Sequence, residues 1–337
     1  MMKFSIPLPG TLDSEKEIFK NLPKRDYDVY MAGISEFIGS GRAALYSPFF
    51  DDIKEQVNYA HKHGIKFNLV LNSSCFGGKH LTFEGYKILA RYIKKLEEIG
   101  VDGVIVSDPY LVELVSKETK NIEVCVSCIA HIDSPEKAKF FEKLGASEIT
   151  LDTNINRHFD IIEAIRDCVN CKLKVIANEA CIYKCPFRYF HFNLFSHVTT
   201  SPEPIFGDYY FERCISLRVQ DPSLIIKSPW IRPEDIKEYK KLGIDSVKIA
   251  GRSNTVEWII NTAKSYMKGK YVGNLLDILD CPNELRDRFY IPNDKLDGVI
   301  EQWKQCSKFC HDCGFCNELA KEVVKCDVNE VKSVERC

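Results

Sequence analysis

The amino-acid sequence predicts an α/β fold, a (β/α)8 barrel of the TIM type, and a repeated pattern is the first observation behind that prediction. An amphipathic stretch ends at a glycine, and a short run of β-branched residues follows at once, at Gly64, Gly100, Gly145 and Gly243. Glycine commonly occupies the left-handed position just past a helix, and short runs of Val, Ile and Leu are typical of buried parallel strands. Each occurrence is therefore interpreted as a joint between a helix and the next strand.

The second observation is the number of such units. We predict strands near residues 3–7, 28–33, 66–71, 102–106, 123–127, 147–151, 172–177 and 246–250. Helices are predicted near residues 13–20, 50–62, 82–97, 109–117, 134–143, 157–167 and 233–241, with a last helix at 254–266. Eight units over roughly 265 residues match the size of a (β/α)8 barrel. The alternative is an open doubly wound sheet, but no GxGxxG motif follows the first strand.

Two segments break the repeat. The helix expected after the seventh strand is delayed by about 50 residues, and long connections in compact domains are usually functional or disordered. After about residue 268 the pattern stops, and a tail with several cysteines follows. We therefore expect a barrel domain over residues 1–268, with a long cysteine-bearing loop after strand seven. A small cysteine-rich, metal-binding extension is expected over residues 269–337.

The composition excludes several classes of protein. The 337 residues include 46 Lys and Arg against 48 Asp and Glu, a formal net charge of −2, so a nucleic-acid partner is not expected. A content of 45% hydrophobic and 28% charged residues excludes a disordered or fibrous chain. No apolar run reaches the roughly 18–20 residues of a membrane span, and the first residues resemble no signal peptide. We expect a cytoplasmic protein without a membrane span.

The carboxyl ends of the predicted strands are rich in Asn, Ser, Asp, Glu and Arg. The active site of a (β/α)8 barrel lies at this end, so these residues are candidates for function, although many are also common in turns and helix caps. Glu179 and Arg252 are not preferred caps, and we select them as catalytic candidates. Arg42, after the second strand, is a third. His191, in the long loop, is a fourth because a histidine there can act as a general acid.

The chain has 15 cysteines. We do not expect them to form a disulfide framework, because the compartment we expect for this protein keeps thiols reduced. Three of them, Cys181, Cys185 and Cys214, lie in the long loop above the predicted barrel mouth. Thiolates hold both iron–sulfur clusters and zinc, so either is compatible with this set. Cys75 and Cys128, at the same rim, are the candidates for a fourth ligand. A three-cysteine cluster with one iron open to substrate is the alternative.

A second group of cysteines lies in the tail. Cys306, Cys310, Cys313 and Cys316 fall within eleven residues, with spacings of three, two and two. The first three reproduce the CxxxCxxC spacing of radical-SAM enzymes, but those enzymes carry it after the first strand. The tight spacing resembles ferredoxin runs and favours a second iron–sulfur cluster, with zinc as the alternative metal. Cys281 and His311 are spare ligands.

These motifs together resemble the U32 peptidase-like family over roughly residues 1–268. The matching segments are Gly39–Arg42, Leu69–Asn72, Gly100–Pro109, Val126–Ser127, Glu179–Cys185 and Gly243–Arg252. The resemblance implies a barrel-like fold and an oxygen-sensitive 4Fe-4S cluster held by cysteines after strand seven. Carried over to this sequence, it places Cys181, Cys185 and Cys214 among the cluster ligands. The short Cys-x3-Cys-Pro spacing, the missing fourth loop cysteine and the tail cysteines depart from the family pattern and indicate a specialised branch.

Members of the family include collagenase-like proteases, RNA hydroxylation proteins and a pair that supports oxygen-independent hydroxylation in ubiquinone synthesis. Our leading hypothesis is accordingly an iron–sulfur oxidoreductase that acts without oxygen on a small-molecule or modified substrate. An electron-donor protein or a homologous partner subunit would then be its partners. The alternatives are a peptidase, for which no nucleophile–base pair or metalloprotease motif is visible, and a non-catalytic subunit that carries a cluster.

Overall fold

The computed structural model describes residues 2–23, 26–33, 40–41, 49–198 and 207–326. Eight parallel strands form a closed barrel in sequence order, in which β1 pairs with both β2 and β8. The barrel strands are β1 Lys3–Pro7, β2 Tyr27–Ala32, β3 Phe67–Val70, β4 Gly103–Val106, β5 Glu123–Val126, β6 Glu148–Thr150, β7 Lys172–Ile176 and β8 Ser246–Lys248. The predicted (β/α)8 fold is therefore confirmed.

Helices follow the strands and cover the outside of the barrel. Those of the repeat are α1 Leu12–Asn21, α2 Phe50–Lys62, α3 Phe83–Glu98, α4 Pro109–Glu118, α5 Pro135–Lys143 and α6 Phe159–Cys168. The later ones are α7 Arg188–Val198, α8 Tyr209–Gln220, α9 Ser223–Lys227, α10 Ile236–Lys241 and α11 Val256–Lys268. Within the described ranges no helix is both long and apolar enough to cross a membrane.

The glycines of the repeated pattern stand at the predicted joints. Gly64, Gly100, Gly145 and Gly243 all have positive φ, between 70° and 109°. Each follows a helix closely and precedes a strand of the barrel. The left-handed backbone at these joints is the reason for glycine there.

Side chains along the strands alternate between two environments, as the period of a strand requires. One set is apolar and packs with the helices in the main hydrophobic core. The other set points into the barrel, where much of it is polar. The Ser5 hydroxyl donates a 2.5 Å hydrogen bond to Asp28, and Nζ of Lys174 lies 2.6 Å from the Glu148 carboxylate. The barrel interior therefore contains buried ion pairs as well as apolar side chains.

The segment between β7 and β8 differs from the sequence prediction. We expected no helix between residues 178 and 229, and this is wrong, because α7, α8 and α9 lie there. The helix α7 carries Phe, Tyr and His residues on most of its faces. Since the one-sided apolar stripe of a surface helix is missing, periodicity did not reveal it.

The tail packs against the barrel and shares its hydrophobic core. It contains α12 Asn283–Arg288, α13 Val299–Gln305, α14 Cys310–Cys313 and α15 Phe315–Val323, with a two-stranded sheet of β9 Phe289–Tyr290 and β10 Lys325–Cys326. The ring of Trp303 packs edge-on against Trp230, with 5.1 Å between the ring centroids. The amide of Asn178, just after β7, donates to the Ile278 carbonyl. These contacts place the start of the tail beside the carboxyl ends of the strands.

Candidate functional site

A cavity of about 590 Å³ opens at the carboxyl ends of the barrel strands. Residues that follow the strands line one side of it, among them Asn72, Ser127 and Lys248. The segment after β7, including α7 and α8, and residues 280–284 of the tail line the rest. This is the face on which (β/α)8 barrels bind their substrates, and the volume suits a small ligand or a bound group.

A buried network of charges lies along this cavity and includes the candidate Glu179. The Glu179 carboxylate, 1% exposed, lies 3.5 Å from Nη1 of Arg188. Nη2 of Arg188 lies 3.5 Å from Asp152, whose second oxygen lies 2.8 Å from Nδ1 of His131.

The charges of this network stabilise one another. Burial opposes the charge on Arg188, yet Glu179 and Asp152 raise the pKa of its guanidinium. Burial also opposes ionisation of Asp152, but His131 and Arg188 hold the pKa of that carboxyl below its usual range. Arg188 is thus a cation shared by two carboxylates.

The structure brings the cysteines predicted from the long loop, Cys181, Cys185 and Cys214, to the wall of this cavity. The Arg218 guanidinium, one turn further along α8, donates a 2.9 Å hydrogen bond to the Cys214 sulfur and another of 2.9 Å to the Ala180 carbonyl. Burial raises the pKa of the Cys185 thiol, and the neighbouring Cys214 adds to that rise. Arg218 therefore ties the two cysteine-bearing segments together and places positive charge beside sulfur.

A further thiol in the cavity wall comes from the tail. Cys281 lines the cavity, and burial raises the pKa of its thiol to about 11, against the opposing charges of Arg286 and Arg218. Of the fourth-ligand candidates, Cys128 lines the cavity and is largely buried, whereas Cys75 is not among the lining residues. Five cysteines thus face one cavity.

The turn that carries Cys181 and Cys185 is held by the segment between β6 and α6. Lys184 has a φ of +50°, an uncommon backbone conformation for a residue with a side chain. Its N–H donates a 2.9 Å hydrogen bond to the Asn154 side chain. The Tyr183 hydroxyl lies 2.9 Å from Nε2 of His158. The barrel therefore fixes the shape of this short turn and the positions of its two thiols.

Two cations face the cavity from the end of β8 and the loop after it. Nζ of Lys248 lies 4.0 Å from the centroid of the Tyr30 ring. Arg252 donates a hydrogen bond to the Ser40 hydroxyl, and both cations line the cavity. The other arginine candidate, Arg42, lies outside the described residues.

His191 also lines the cavity, on α7. Its Nε2 lies 2.9 Å from the Asp208 carboxylate, and Asp208 in turn caps α8. Aromatic side chains surround it on the same wall, namely Phe187, Phe192, Phe195, Tyr210 and Phe211. These rings make α7 and α8 the mainly apolar part of the cavity wall, with Arg188 stacked 5.3 Å from the Phe192 ring centroid.

Several residues of the site were missed by sequence reasoning, chiefly Lys248, Arg188 and Arg218. Lys248 carried a usable signal, because polar and apolar residues alternate along β8 and place it on the interior side. Arg188 and Arg218 carried none, since their helices were not predicted. Cys281 was considered only as a spare ligand of the tail cysteines, because its contact with the barrel mouth is long-range.

The thiols around the cavity are the ligand type that both zinc and iron–sulfur clusters take. Within the described ranges, no three His, Cys, Asp or Glu side chains are gathered closely enough to form a ready metal site. The sulfurs instead lie at separate points around one cavity. In a 4Fe-4S cluster each of four thiolates binds a different iron, so the ligands surround a large group. The nearby Arg188 and Arg218 supply positive charge for such an anionic group.

The four tail cysteines form a separate group away from this cavity. Cys306 follows α13, Cys310 and Cys313 are the ends of α14, and Cys316 lies in the first turn of α15. Cys313 is exposed and the other three are partly buried. Burial raises the pKa of the Cys316 thiol, and the nearby thiols of Cys310 and Cys306 add to the rise. As at the cavity, these described residues form no ready three-ligand metal site.

Comparison with known proteins gives a consistent family match. The model of the family described as Peptidase family U32 matches residues 27–184. An uncharacterized protease of Methanocaldococcus jannaschii is 49% identical over 332 residues, which are 96% of this chain and 99% of that protein. A solved structure of a U32 peptidase has a TM-score of 0.57 and 28% identity, covering 74% of this chain and 92% of that chain.

A more distant relative has a name that describes a reaction. A tRNA hydroxylation protein of Bacillus subtilis is 23% identical over 274 residues. The match covers 74% of this chain but 60% of that protein, so part of the Bacillus protein has no counterpart in the aligned region. The relatives therefore include proteins named for proteolysis and for RNA hydroxylation.

Proposed function

Because this chain belongs to peptidase family U32, we propose that it is an iron–sulfur enzyme with oxygen-independent redox chemistry of the hydroxylation type. The observation that carries the proposal is the group of thiols around the cavity at the barrel mouth. The name of the Bacillus relative supports the reaction class. The substrate in this proposal is a small molecule or a modified macromolecule that reaches the cavity.

Cys181, Cys185 and Cys214 are the proposed ligands of the barrel cluster, and Cys281 is the fourth. Cys281 is preferred to Cys128 because it lies beside Arg218, which already binds the Cys214 sulfur. When bound, a cluster exchanges single electrons and can bind an oxygen atom of a substrate. Hydrogen bonds to its sulfurs tune the potential, and Arg218 is placed to donate one.

The remaining groups of the cavity bind and orient the substrate. Lys248 and Arg252 supply positive charge for an anionic or carbonyl group. His191, oriented by Asp208, is placed to donate or accept a proton. Glu179, held by Arg188, is an acceptor fixed in a buried position. The aromatic wall of α7 and α8 keeps water from this side of the cavity.

The test is the metal content of anaerobically purified protein. We expect the Cys214→Ser variant to lose one cluster's complement of iron and acid-labile sulfide relative to the wild type. The matched control is Cys168→Ser on α6, whose thiol bonds the Ile165 carbonyl and does not line the cavity, and it is expected to keep the wild-type content.

Two results would contradict the proposal. Equal iron and sulfide in the wild type and in Cys214→Ser would show that no cluster depends on this thiol. Cleavage of denatured collagen that persists after removal of clusters and chelation of metals would instead favour the peptidase hypothesis.

A further inference from the structure

Among the described residues, the buried cation Arg157 has no ion-pair partner within 4.0 Å, although the more distant Asp235 acts on its charge. Arg157 is 8% exposed, and its Nη1 donates a 2.8 Å hydrogen bond to the Ile226 carbonyl. Its Nε and Nη2 atoms have no hydrogen-bond partner within the described part of the chain. The guanidinium lies 3.5 Å from the ring centroid of Trp303 and 4.8 Å from that of Trp230. Burial of an unpaired charge is strongly unfavourable. An anion bound next to Arg157 would therefore stabilise the folded protein.

A second unsatisfied donor lies at the same place. The indole Nε1 of Trp303 is buried and has no hydrogen-bond partner among the described residues. Trp303 lies in α13, and its carbonyl accepts hydrogen bonds from the Cys306 N–H, at 3.4 Å, and from Nζ of Lys308, at 3.0 Å. The Lys308 N–H in turn donates a 3.3 Å hydrogen bond to the Cys306 sulfur. The indole that stacks on Arg157 is therefore one helical turn from the first tail cysteine.

We infer that Cys306, Cys310, Cys313 and Cys316 bind an iron–sulfur cluster of their own, with Arg157 as its buried counter-charge. A cluster held by four thiolates is anionic and so balances the Arg157 charge. Its sulfur atoms accept hydrogen bonds, which satisfies the free N–H groups of Arg157 and Trp303. This site shares no ligand with the barrel cluster and does not depend on it.

The spacing of the ligands favours a cluster over zinc. Structural zinc sites usually take their ligands from two separated pairs, such as two CxxC motifs. Here the four cysteines follow one another within eleven residues, as in ferredoxin runs. Gly314, with a φ of +64°, makes the turn between α14 and α15, so only two residues separate Cys313 from Cys316. Because metal binding and local folding are coupled, the ligand set closes around the cluster when it binds.

The proposed counter-charge of the tail site adjoins the turn of the barrel site. Arg157 is followed in the chain by His158, whose Nε2 lies 2.9 Å from the Tyr183 hydroxyl. Tyr183 lies between Cys181 and Cys185. The chain segment that supplies the tail counter-charge therefore also contacts the turn that carries two ligands of the proposed barrel cluster.

The experiment compares full-length variants after anaerobic purification. The informative variant is Cys313→Ser, because Cys313 is exposed and its replacement disturbs no packing. Cys310→Ser/Cys313→Ser is the second variant, Cys168→Ser the control, and Cys214→Ser reports on the barrel site separately. Iron, sulfide and zinc are measured together with the electron paramagnetic resonance spectrum of the reduced protein and the far-ultraviolet circular dichroism.

We expect both tail variants to keep the wild-type circular dichroism. The double variant should lose one cluster's complement of iron and sulfide, and one component of the spectrum should change in Cys313→Ser and disappear in the double variant. Wild-type iron and an unchanged spectrum in the double variant would overturn the inference, and so would loss of one zinc with iron unchanged. If Cys214→Ser has no effect while the tail variants lose iron, the proposed function fails and the tail site stands.

Discussion

Buried charged residues of this protein fall into two groups, according to whether a counter-ion lies beside them. Lys174 lies 2.6 Å from Glu148, and Arg188 lies 3.5 Å from Glu179. Arg157 has no such partner within the described ranges, and neither oxygen of Glu15 has a hydrogen-bond partner there. A buried ionisable group without a partner must be neutral or bind something absent from the chain. A guanidinium stays charged, whereas a carboxyl group can keep its proton.

Glu15 therefore makes the stability of the protein depend on pH. Burial raises the pKa of its carboxyl from 4.5 to about 8, although Lys16 opposes the rise. Between these values the folded state holds a proton that the unfolded state has lost, so the free energy of unfolding falls as the pH increases. The loss is up to roughly 1.4 kcal/mol per pH unit. Urea unfolding at several pH values between about 5 and 8 measures the slope.

The variant Glu15→Gln carries no titrating group and should remove this part of the slope, with its largest stabilisation relative to the wild type near pH 8. Glu17→Gln, two residues further on the exposed side of α1, is the matched control and should leave the slope unchanged. An identical pH dependence of Glu15→Gln and the wild type would show that Glu15 is ionised in the folded protein.

The residues of the candidate site differ in how far the sequence could reveal them. Cys181, Cys185 and Cys214 were found from residue type and position after strand seven, and they do line the cavity. Cys281 could not be assigned to the cavity, because its position depends on how the tail folds back on the barrel. The sequence could not show that Arg157 lacks an ion-pair partner among the described residues either, because that depends on which distant segments pack around its side chain.

At the scale of elements, prediction succeeded where the periodic pattern was strong. The strands and the helices α1 to α6 have apolar faces of regular period. The glycines of the repeat lie at the joints that follow α2, α3, α5 and α10. The helices α7 to α9 were missed because aromatic residues cover several faces of α7 and α9 is only five residues long. The family resemblance drawn from the strand ends is confirmed by the 49% identical relative.

The joint glycines do not contribute equally to stability. A Cβ atom on Gly145 would lie 2.2 Å from Oγ and 2.7 Å from Cβ of Ser116, at a φ of +109°. A Cβ atom on Gly64, at a φ of +70°, would meet nothing within 4 Å. We expect Gly64→Ala to lower the free energy of unfolding by about 1–2 kcal/mol, from backbone strain alone.

In Gly145→Ala, steric overlap with Ser116 adds to the backbone strain. We expect this variant to lower the free energy of unfolding by roughly 3 kcal/mol or more. Urea unfolding of both variants under one condition measures the difference. Equal losses for the two variants would mean that α4 shifts freely to admit a methyl group at the α5–β6 joint.

At the scale of the whole molecule, the tail completes both the core and the cavity. The apolar tail side chains with no exposed surface are Leu275, Leu276, Leu279, Leu285, Ile291 and Leu296. Each fully buried side chain of this kind contributes about 1.5–3 kcal/mol, so together they rival the net stability of a domain, about 5–15 kcal/mol. The barrel and the extension, separated in the sequence at residue 268, therefore share one core.

A chain that ends at residue 268 should consequently fail to fold cooperatively. It loses the apolar contacts of the tail, exposes Trp230, and leaves the Asn178 carbonyl without the 2.7 Å hydrogen bond from the Asp280 N–H. It also lacks Cys281, so the folded fraction of the shorter chain should contain less of the barrel cluster.

The control is a chain that ends at Cys326, which keeps every contact described above and should match the full-length protein. Circular dichroism during urea unfolding and size-exclusion chromatography compare the two. The dependence of the unfolding free energy on urea concentration, the m-value, scales with the surface that becomes exposed when a cooperative unit unfolds. A single sharp transition with an unchanged m-value for the shorter chain would therefore show that the barrel folds without its tail.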